Sequence, residues 1–466
     1  MSDLHRSTLY RTRRASATTR AWLWAVIVVV ILSVLICGAR STNAATLTID
    51  DAVTMALKNN QDYLIAKSQL DKAEAEIQKA TAGALPTLSF GSSYTRNLKV
   101  PTLVFGGESF RFGTDNQMDI GLNLTQPIWL GGRVFTAMKI AKIYKKYSED
   151  MVREAEGQIT YGVRRAFLGA ILTQDVVKVY KDALAATELN LDIVNKMYSQ
   201  GVVSEYEYLR AQVEVANLRP QLTQTQNGAV IALESLKNLI GVKLSESLEL
   251  RYEFDSTIVG RELNLEYLQK LASANRASLQ QQEHLTDITR RAIGIAKSGR
   301  SFNLILQSQY GYRLQGDDGG FQLFKRRDWT PSWTATLSLS MPIFDGFTTT
   351  AEIRKAKTDY QNTSLSLEQL KQQVELDVRQ AYYTYQESGE RLKAQQKTID
   401  QAEEGLKIAR LRYQNGVGTQ LEILSAETAL TQAKTNYVQA THDAAAAVYG
   451  LLRVTGVNNI EMLKER

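Results

Sequence analysis

Two glutamates occupy matching places in this chain of 466 residues. Glu207 and Glu422 each lie six positions after a glycine, Gly201 and Gly416, and they are 215 residues apart. Carboxylates gathered in a ring favour cations and repel one another unless neutralised. A lone glutamate here would be read as a solvated residue on a helix face; the duplicated placement is what singles these two out. Catalytic chemistry has little to work with. Apart from His5, the histidines are His284 and His442, far apart and without metal-ligand spacing. There is no phosphate loop, nucleophile elbow or paired-cysteine motif. No enzyme activity, cofactor or metal is expected, and the unclustered methionines lend no support to copper export.

The offset of 215 residues reaches well beyond the glutamates. Pro127 is matched by Pro342, Gly131 by Gly346, Leu209 by Leu424 and Gly241 by Gly456. Internal repetition on this scale decides the fold reading before local propensity does. Each unit reads as helix, strand, loop, strand, very long helix, tight turn, helix. The first helix is expected over about residues 49–82, with Pro86 breaking it. Leu88, Phe90, Ser92 and Tyr94 then alternate with Thr87, Ser89, Gly91 and Ser93. After a polar and aromatic loop, Met118, Ile120, Leu122 and Leu124 do the same. In the second unit Leu304, Leu306, Ser308 and Tyr310 form one strand face, and Trp333, Ala335, Leu337, Leu339 and Met341 another. These are period-two strands, apolar on one side and rich in hydroxyls on the other.

Pro127 and Pro342 are expected to end the second strands. Beyond each, about seventy residues without proline run to Gly201 or Gly416, and a helix of that length would extend about 100 Å. Val177, Tyr180, Leu184, Thr187, Leu191, Val194 and Tyr198 make a heptad seam, copied by Leu392, Gln395, Ile399, Ala402, Leu406, Ala409 and Tyr413. Alternating spacings of three and four mean coiled-coil packing. The helix–turn–helix at each glycine is then an antiparallel hairpin with a glycine cap. Pro220 should bend the first return helix; Thr435 replaces it in the second. Between the units, Leu248, Leu250, Tyr252 and Phe254 alternate, suggesting a short strand against the side of the helices.

The start of the chain reads as an export signal. Six arginines against Asp3 precede or flank the apolar run Ala21–Cys37, and Thr42-Asn43-Ala44 suits cleavage after Ala44. The expected divisions are residues 1–44 as signal peptide, 45–246 as the first unit, 247–262 as a connecting equatorial segment and 263–466 as the second. An uncleaved anchor is the alternative, since the run sits at the lower edge of membrane-spanning length. Cys37 follows Ile36, where a lipidation signal needs a small residue, which argues against a lipid anchor. Without the signal the chain carries 49 basic and 48 acidic residues, a net of +1, so nucleic acid is not an expected partner.

Exported strands of about ten residues with one apolar face are the signature of a transmembrane β-barrel. A soluble antiparallel sheet packed on a core would alternate in the same way. Aromatics near strand ends favour a membrane: Tyr94, Phe105, Phe110, Phe112, Trp129, Tyr310, Tyr312, Phe321, Phe324, Trp329 and Trp333. Four strands cannot close a barrel, and open edges in hydrocarbon are prohibitively costly. The chain must therefore oligomerise, and two, three or four copies would all satisfy closure.

The segment from Leu337 through Met341-Pro342-Ile343-Phe344-Asp345-Gly346 to Phe347, its copy Leu122 to Gly132, and the hairpin Arg412 to Thr419 resemble the TolC-type outer-membrane efflux and secretion channel family. The likeness covers about residues 45–460. It implies a mixed, mainly α fold with transmembrane β-structure: a homotrimer whose 12-stranded outer-membrane β-barrel continues as a 12-helix periplasmic α-barrel, two tandem repeats per chain. It implies an exit duct in the outer membrane of a Gram-negative bacterium, in contact with outer-membrane lipid. A periplasmic adaptor and an inner-membrane pump of RND, ABC or MFS type would be its partners in tripartite efflux or type I secretion. The resemblance puts the periplasmic gate near Gly201 and Gly416, where Glu207 and Glu422 of three copies would form a ring of six carboxylates. Ser425 stands where many relatives carry a second acid, and its counterpart is Arg210, so this constriction is expected to be less acidic. Val202, Val203, Val417, Gly418, Thr419 and Leu421 are candidates for adaptor docking, with Leu209 and Leu424 read first as hairpin packing. Pro127, Gly131, Pro342 and Gly346 mark the strand-to-helix junctions. A coiled-coil scaffold with an uncleaved anchor, which needs no strands, is the alternative; a stand-alone porin ranks last because porins use short periplasmic turns. The cargo is left open among drugs, metal ions, solvents and polypeptides.

Overall fold

A computed structural model describes residues 45–252, 259–317 and 329–463. The expected signal peptide and Cys37, together with Phe254, Phe321 and Phe324, lie outside the described residues. The first half contains β1 (Ala45–Leu47), α1 (Ile49–Asn59), α2 (Gln61–Ala82), β2 (Thr87–Arg96), β3 (Thr102–Phe105), β4 (Glu108–Arg111), β5 (Asn116–Leu130), α3 (Arg133–Ser199) and α4 (Glu205–Leu239). The second contains β6 (Leu248–Leu250), α5 (Leu265–Asn275), α6 (Ala277–Ser298), β7 (Asn303–Gly316), β8 (Trp329–Ser340), α7 (Thr348–Gln414) and α8 (Gln420–Thr455). A 3₁₀ turn, Ile460–Leu463, follows.

The proline-free runs form the two longest helices. Both α3 and α7 span 67 residues, about 100 Å at 1.5 Å per residue. Each folds back on its shorter partner, α4 or α8, and the expected seam is the packed side. Thr187, Val194, Leu406 and Ala409 are buried, the other seam residues are half-buried, and only Tyr198 is exposed. Helix α4 continues through Pro220 without interruption. Small residues on α8 (Ala440, Ala444, Ala445, Ala447) are buried, which lets neighbouring helices approach closely. The principal core gathers Leu268 and Ala272 of α5, Leu279 of α6, Val374, Val378 and Tyr385 of α7, and Val448, Leu451 and Leu452 of α8.

The expected helix over 49–82 is two helices. Asn60 leaves helical geometry (φ −68°, ψ 128°) and ends α1. Its side chain then caps α2 by accepting from the Asp62 and Tyr63 N–H groups, and its amide donates to the Leu239 carbonyl at 3.2 Å. Residues 97–115, expected as a loop, carry the β3–β4 hairpin, which turns at Gly106 and Gly107 with positive φ. The expected short strand forms over Leu248–Leu250 and pairs in parallel with β1.

Strands β2, β5, β7 and β8 form one antiparallel sheet in the order β2–β5–β7–β8. Pro127 does not end β5, which runs on to Leu130 with a bulge between Pro127 and Trp129. The reason is local: β2 pairs with β5 only as far as Thr125, so one side of Pro127 has no ladder to break. Pro342 does follow the end of β8. Among the described residues no helix is long and apolar enough to cross a membrane.

Candidate functional site

The register of the sheet sorts its side chains by face. Phe90, Leu122, Tyr310 and Trp333 are direct cross-strand partners, as are Leu88, Leu124, Ser308 and Ala335, and Leu304 faces Leu339. This face is bare: Phe90 is 69% and Trp333 76% exposed. Aromatic contacts lie along it, with Tyr310 edge-on to Trp333 and Trp333 Nε1 donating to Ser308 Oγ at 3.0 Å. On the opposite face Ser89, Asn123, Gln309 and Thr334 make one row, and Ser93, Asp119, Arg313 and Thr330 another. The charges there are internally matched. Arg313 Nε donates to Asp119 Oδ1 at 2.6 Å and Gln117 to Asp119 Oδ2 at 2.7 Å. The outer edges of β2 and β8 have no strand partner among the described residues.

The two hairpin tips are built by the same rules. Gly201 and Gly416 take φ of 71° and 74°, which glycine adopts without a Cβ penalty. The Val202 N–H reaches the Met197 carbonyl at 2.9 Å and the Val417 N–H the Arg412 carbonyl at 3.0 Å, closing Schellman caps. Ser204 and Thr419 then start α4 and α8, their hydroxyls accepting from the N–H groups of Glu207 and Glu422. Both glutamates thus sit in the first turn of a helix, where an acid complements the helix dipole. Sequence reasoning missed this, although Ser-x-x-Glu and Thr-x-x-Glu are readable start signals.

The tips differ in charge. Arg412 Nε donates to Glu422 Oε2 at 3.1 Å and its Nη2 to the Val417 carbonyl at 3.2 Å. Its counterpart 215 residues earlier is Met197, and among the described residues Glu207 has no ion-pair partner. Tyr413 bridges the tips, its hydroxyl donating to Met197 Sδ at 3.9 Å. Burial pushes that hydroxyl above its ordinary value, and the Glu207 carboxylate pushes it the same way. Tyr198 stacks on Tyr208, ring centroids 5.2 Å apart. Arg210 is half-buried and Ser425 exposed.

Among the expected docking residues, Val202, Val417 and Leu421 are exposed and Val203 half-buried, while Thr419 is occupied as a cap. Gly418 is held by packing: a Cβ there would lie 2.9 Å from the Tyr413 nitrogen. Leu424 is buried, as hairpin packing requires, but Leu209 is exposed. At the junctions Gly131 and Gly346 have φ of 62° and 64°. Neither N-cap residue, Gly132 of α3 or Phe347 of α7, makes a side-chain cap, but Asp345, two residues before α7's N-cap, accepts from the Thr349 N–H at 2.9 Å, where Leu130 stands before α3.

The profile of the family described as outer membrane efflux protein matches residues 52–242 and 268–457. The alkaline protease secretion protein AprF of Pseudomonas aeruginosa is 21% identical, the alignment covering 86% of this chain and 82% of AprF. The toluene efflux pump outer membrane protein TtgC of Pseudomonas putida is 23% identical over 82% of this chain and 77% of its own length. Among solved structures, the outer membrane protein VceC of Vibrio cholerae superposes with a TM-score of 0.74 at 18% identity, over 88% of this chain and 96% of VceC. With its one apolar sheet face, one polar face and two long helical hairpins, the chain belongs to the outer membrane efflux protein family, the TolC-type outer-membrane channels.

Proposed function

We propose that three copies of this chain form the exit duct of a tripartite efflux or type I secretion system. The observation that carries this reading is the four-stranded sheet, whose β2 and β8 have no strand partner along their outer edges among the described residues. A sheet whose one face is apolar belongs against hydrocarbon, where each unsatisfied backbone group costs several kcal/mol, so edge must meet edge. Three copies would give twelve strands around a polar lumen lined by Ser89, Asn123, Gln309 and Thr334. Below it, α3 with α4 and α7 with α8 would line a tunnel of twelve helices, each chain supplying two tandem repeats divided near residues 247–262. A scaffold protein would have no use for such a sheet. The relatives named for protease secretion and for toluene efflux are similar to this chain to about the same degree. The likeness therefore supports the duct and leaves the cargo to the pump.

At the periplasmic end the reading assigns the constriction to Glu207 and Glu422. Because Arg412 holds Glu422, the ring would present three free and three matched carboxylates. Val202, Val203, Val417, Gly418 and Leu421 would offer the adaptor an apolar hairpin tip, and the duct would perform no catalysis of its own. The test is disulfide crosslinking in outer-membrane vesicles. Ser89→Cys on β2 and Thr336→Cys on β8, in a Cys37→Ala background, should give oxidised dimers and trimers only when both new cysteines are present. Crosslinks absent from a full scan of β2 against β8 would refute closure between copies.

A further inference from the structure

The connection between β2 and β5 carries apolar surface that the duct itself does not use. In the β3–β4 hairpin, pairing puts Leu103 beside Phe110 and Phe105 beside Glu108 on one face. Thr102 beside Arg111 and Val104 beside Ser109 make the other. Phe112, whose N–H donates to the Pro101 carbonyl at 2.9 Å, extends the first face. That face is uncovered: Phe105 is 82% and Phe112 68% exposed, and Leu98, in the approach to the hairpin, 94%. Its one charge is Glu108, next to the Gly106-Gly107 turn. A contiguous exposed apolar patch marks an interaction surface.

Salt links at the base of the hairpin say which way this face turns. Arg111, on the opposite face, pairs with Asp115 and reaches Asp317 at 3.6 Å, and the Asp115 N–H donates to Asp317 Oδ1 at 3.2 Å. In the β5–β7 register Gln117 faces Gln315 and Asp119 faces Arg313, all on the polar side of the sheet. With a side-chain period of two, Asp115 and Asp317 continue that row. Arg111 therefore ties the hairpin's polar face to the polar side, and the apolar face turns to the side of Phe90 and Trp333. Height follows from length. Strand β2 has 10 residues, about what a tilted strand needs to cross hydrocarbon. A hairpin that starts beyond its end stands at the membrane surface, where aromatic side chains gather. Lys99 lies in the same approach, exposed and without an ion-pair partner among the described residues, which suits it to lipid phosphate.

We propose that the β3–β4 hairpin beds Leu103, Phe105, Phe110 and Phe112 in the outer leaflet of the membrane, with Lys99 at the lipid phosphates. The inference rests on the duct reading, which sets the apolar face of the sheet in the same membrane. Its test places nitroxide labels on single cysteines of the full chain, in a Cys37→Ala background, reconstituted in phosphatidylethanolamine–phosphatidylglycerol vesicles. Collision with oxygen, which partitions into lipid, is compared with collision with a water-soluble nickel chelate. The oxygen-to-nickel ratio should be severalfold higher for Leu103→Cys, Phe105→Cys and Phe110→Cys than for Thr102→Cys, Val104→Cys and Ser109→Cys. All six positions are exposed, so no label empties a core. Equal ratios on the two faces would overturn the proposal. Strong spin–spin broadening at Phe105→Cys, the sign of hairpins from several copies meeting over the pore, would overturn it too. Phe90→Cys on β2 separates this inference from the duct reading. Lipid contact at Phe90→Cys with every hairpin label in water removes the hairpin anchor alone, whereas water at Phe90→Cys as well removes both.

Discussion

The two strand-to-helix junctions contain a natural control experiment. Gly131 and Gly346 are 215 residues apart and share nearly the same left-handed backbone, φ 62° and 64°. Forcing a residue with a Cβ into that conformation costs about 1–2 kcal/mol, and alanine should incur that cost at both. The surroundings differ. A Cβ at Gly131 would lie 2.7 Å from Ser301 Cβ and 2.8 Å from the Ser298 carbonyl oxygen, whereas at Gly346 nothing lies within 4 Å. Overpacking against backbone adds about 1–3 kcal/mol. Gly131→Ala should therefore lose about 2–5 kcal/mol and Gly346→Ala about 1–2 kcal/mol. The assay is guanidinium unfolding in detergent followed by circular dichroism, read as a shift in midpoint at constant slope. Adding Ser301→Gly to Gly131→Ala removes one collision and leaves the carbonyl in place, so it should recover only part of the loss. Equal losses at the two glycines would refute the reasoning, since the packing difference would then count for nothing.

Other outcomes follow from the tips and the helices. Glu207→Gln should lower the cation preference of reconstituted channels more than Glu422→Gln, because Arg412 already offsets Glu422; reversal potentials under a salt gradient measure this. Ser204→Ala and Thr419→Ala should each cost about 1 kcal/mol of stability by removing a helix cap, seen as lower unfolding midpoints. Burial pushes the Asp287 carboxyl up, but hydrogen bonds from Arg290 and Arg291 outweigh it and hold the group below its ordinary value of 3.8. A depressed carboxylate contributes stability above its unfolded value and loses it as pH falls through the folded one. Asp287→Asn should accordingly flatten the acid limb of the stability profile below about pH 4, without affecting neutral pH dependence.

How much of this was readable from residues alone depends on the range of the interaction. The strand faces were legible because alternation is a local, period-two property, and the register places Phe90, Leu122, Tyr310 and Trp333 side by side as that pattern requires. The long helices were legible because no proline interrupts them. What escaped was set by neighbours distant in sequence or by side-chain hydrogen bonds. Asn60 divides α1 from α2 while donating to Leu239, 179 residues away. Pro127 survives inside β5 because β2 stops at Thr125. The Gly106-Gly107 turn of the β3–β4 hairpin carried a readable signal, glycines between two strand-like runs. At the tips the matched glutamates were visible in the sequence. That Glu422 alone has an arginine beside it depended on Arg412 reaching back across the turn.

The most direct test of the central claim is the mass of the purified, processed protein by native mass spectrometry in mild detergent. The proposed duct, closed by β2 of one copy against β8 of the next, predicts a particle of three chains. A stable particle of one chain, its β2 and β8 edges unpaired, would contradict the account.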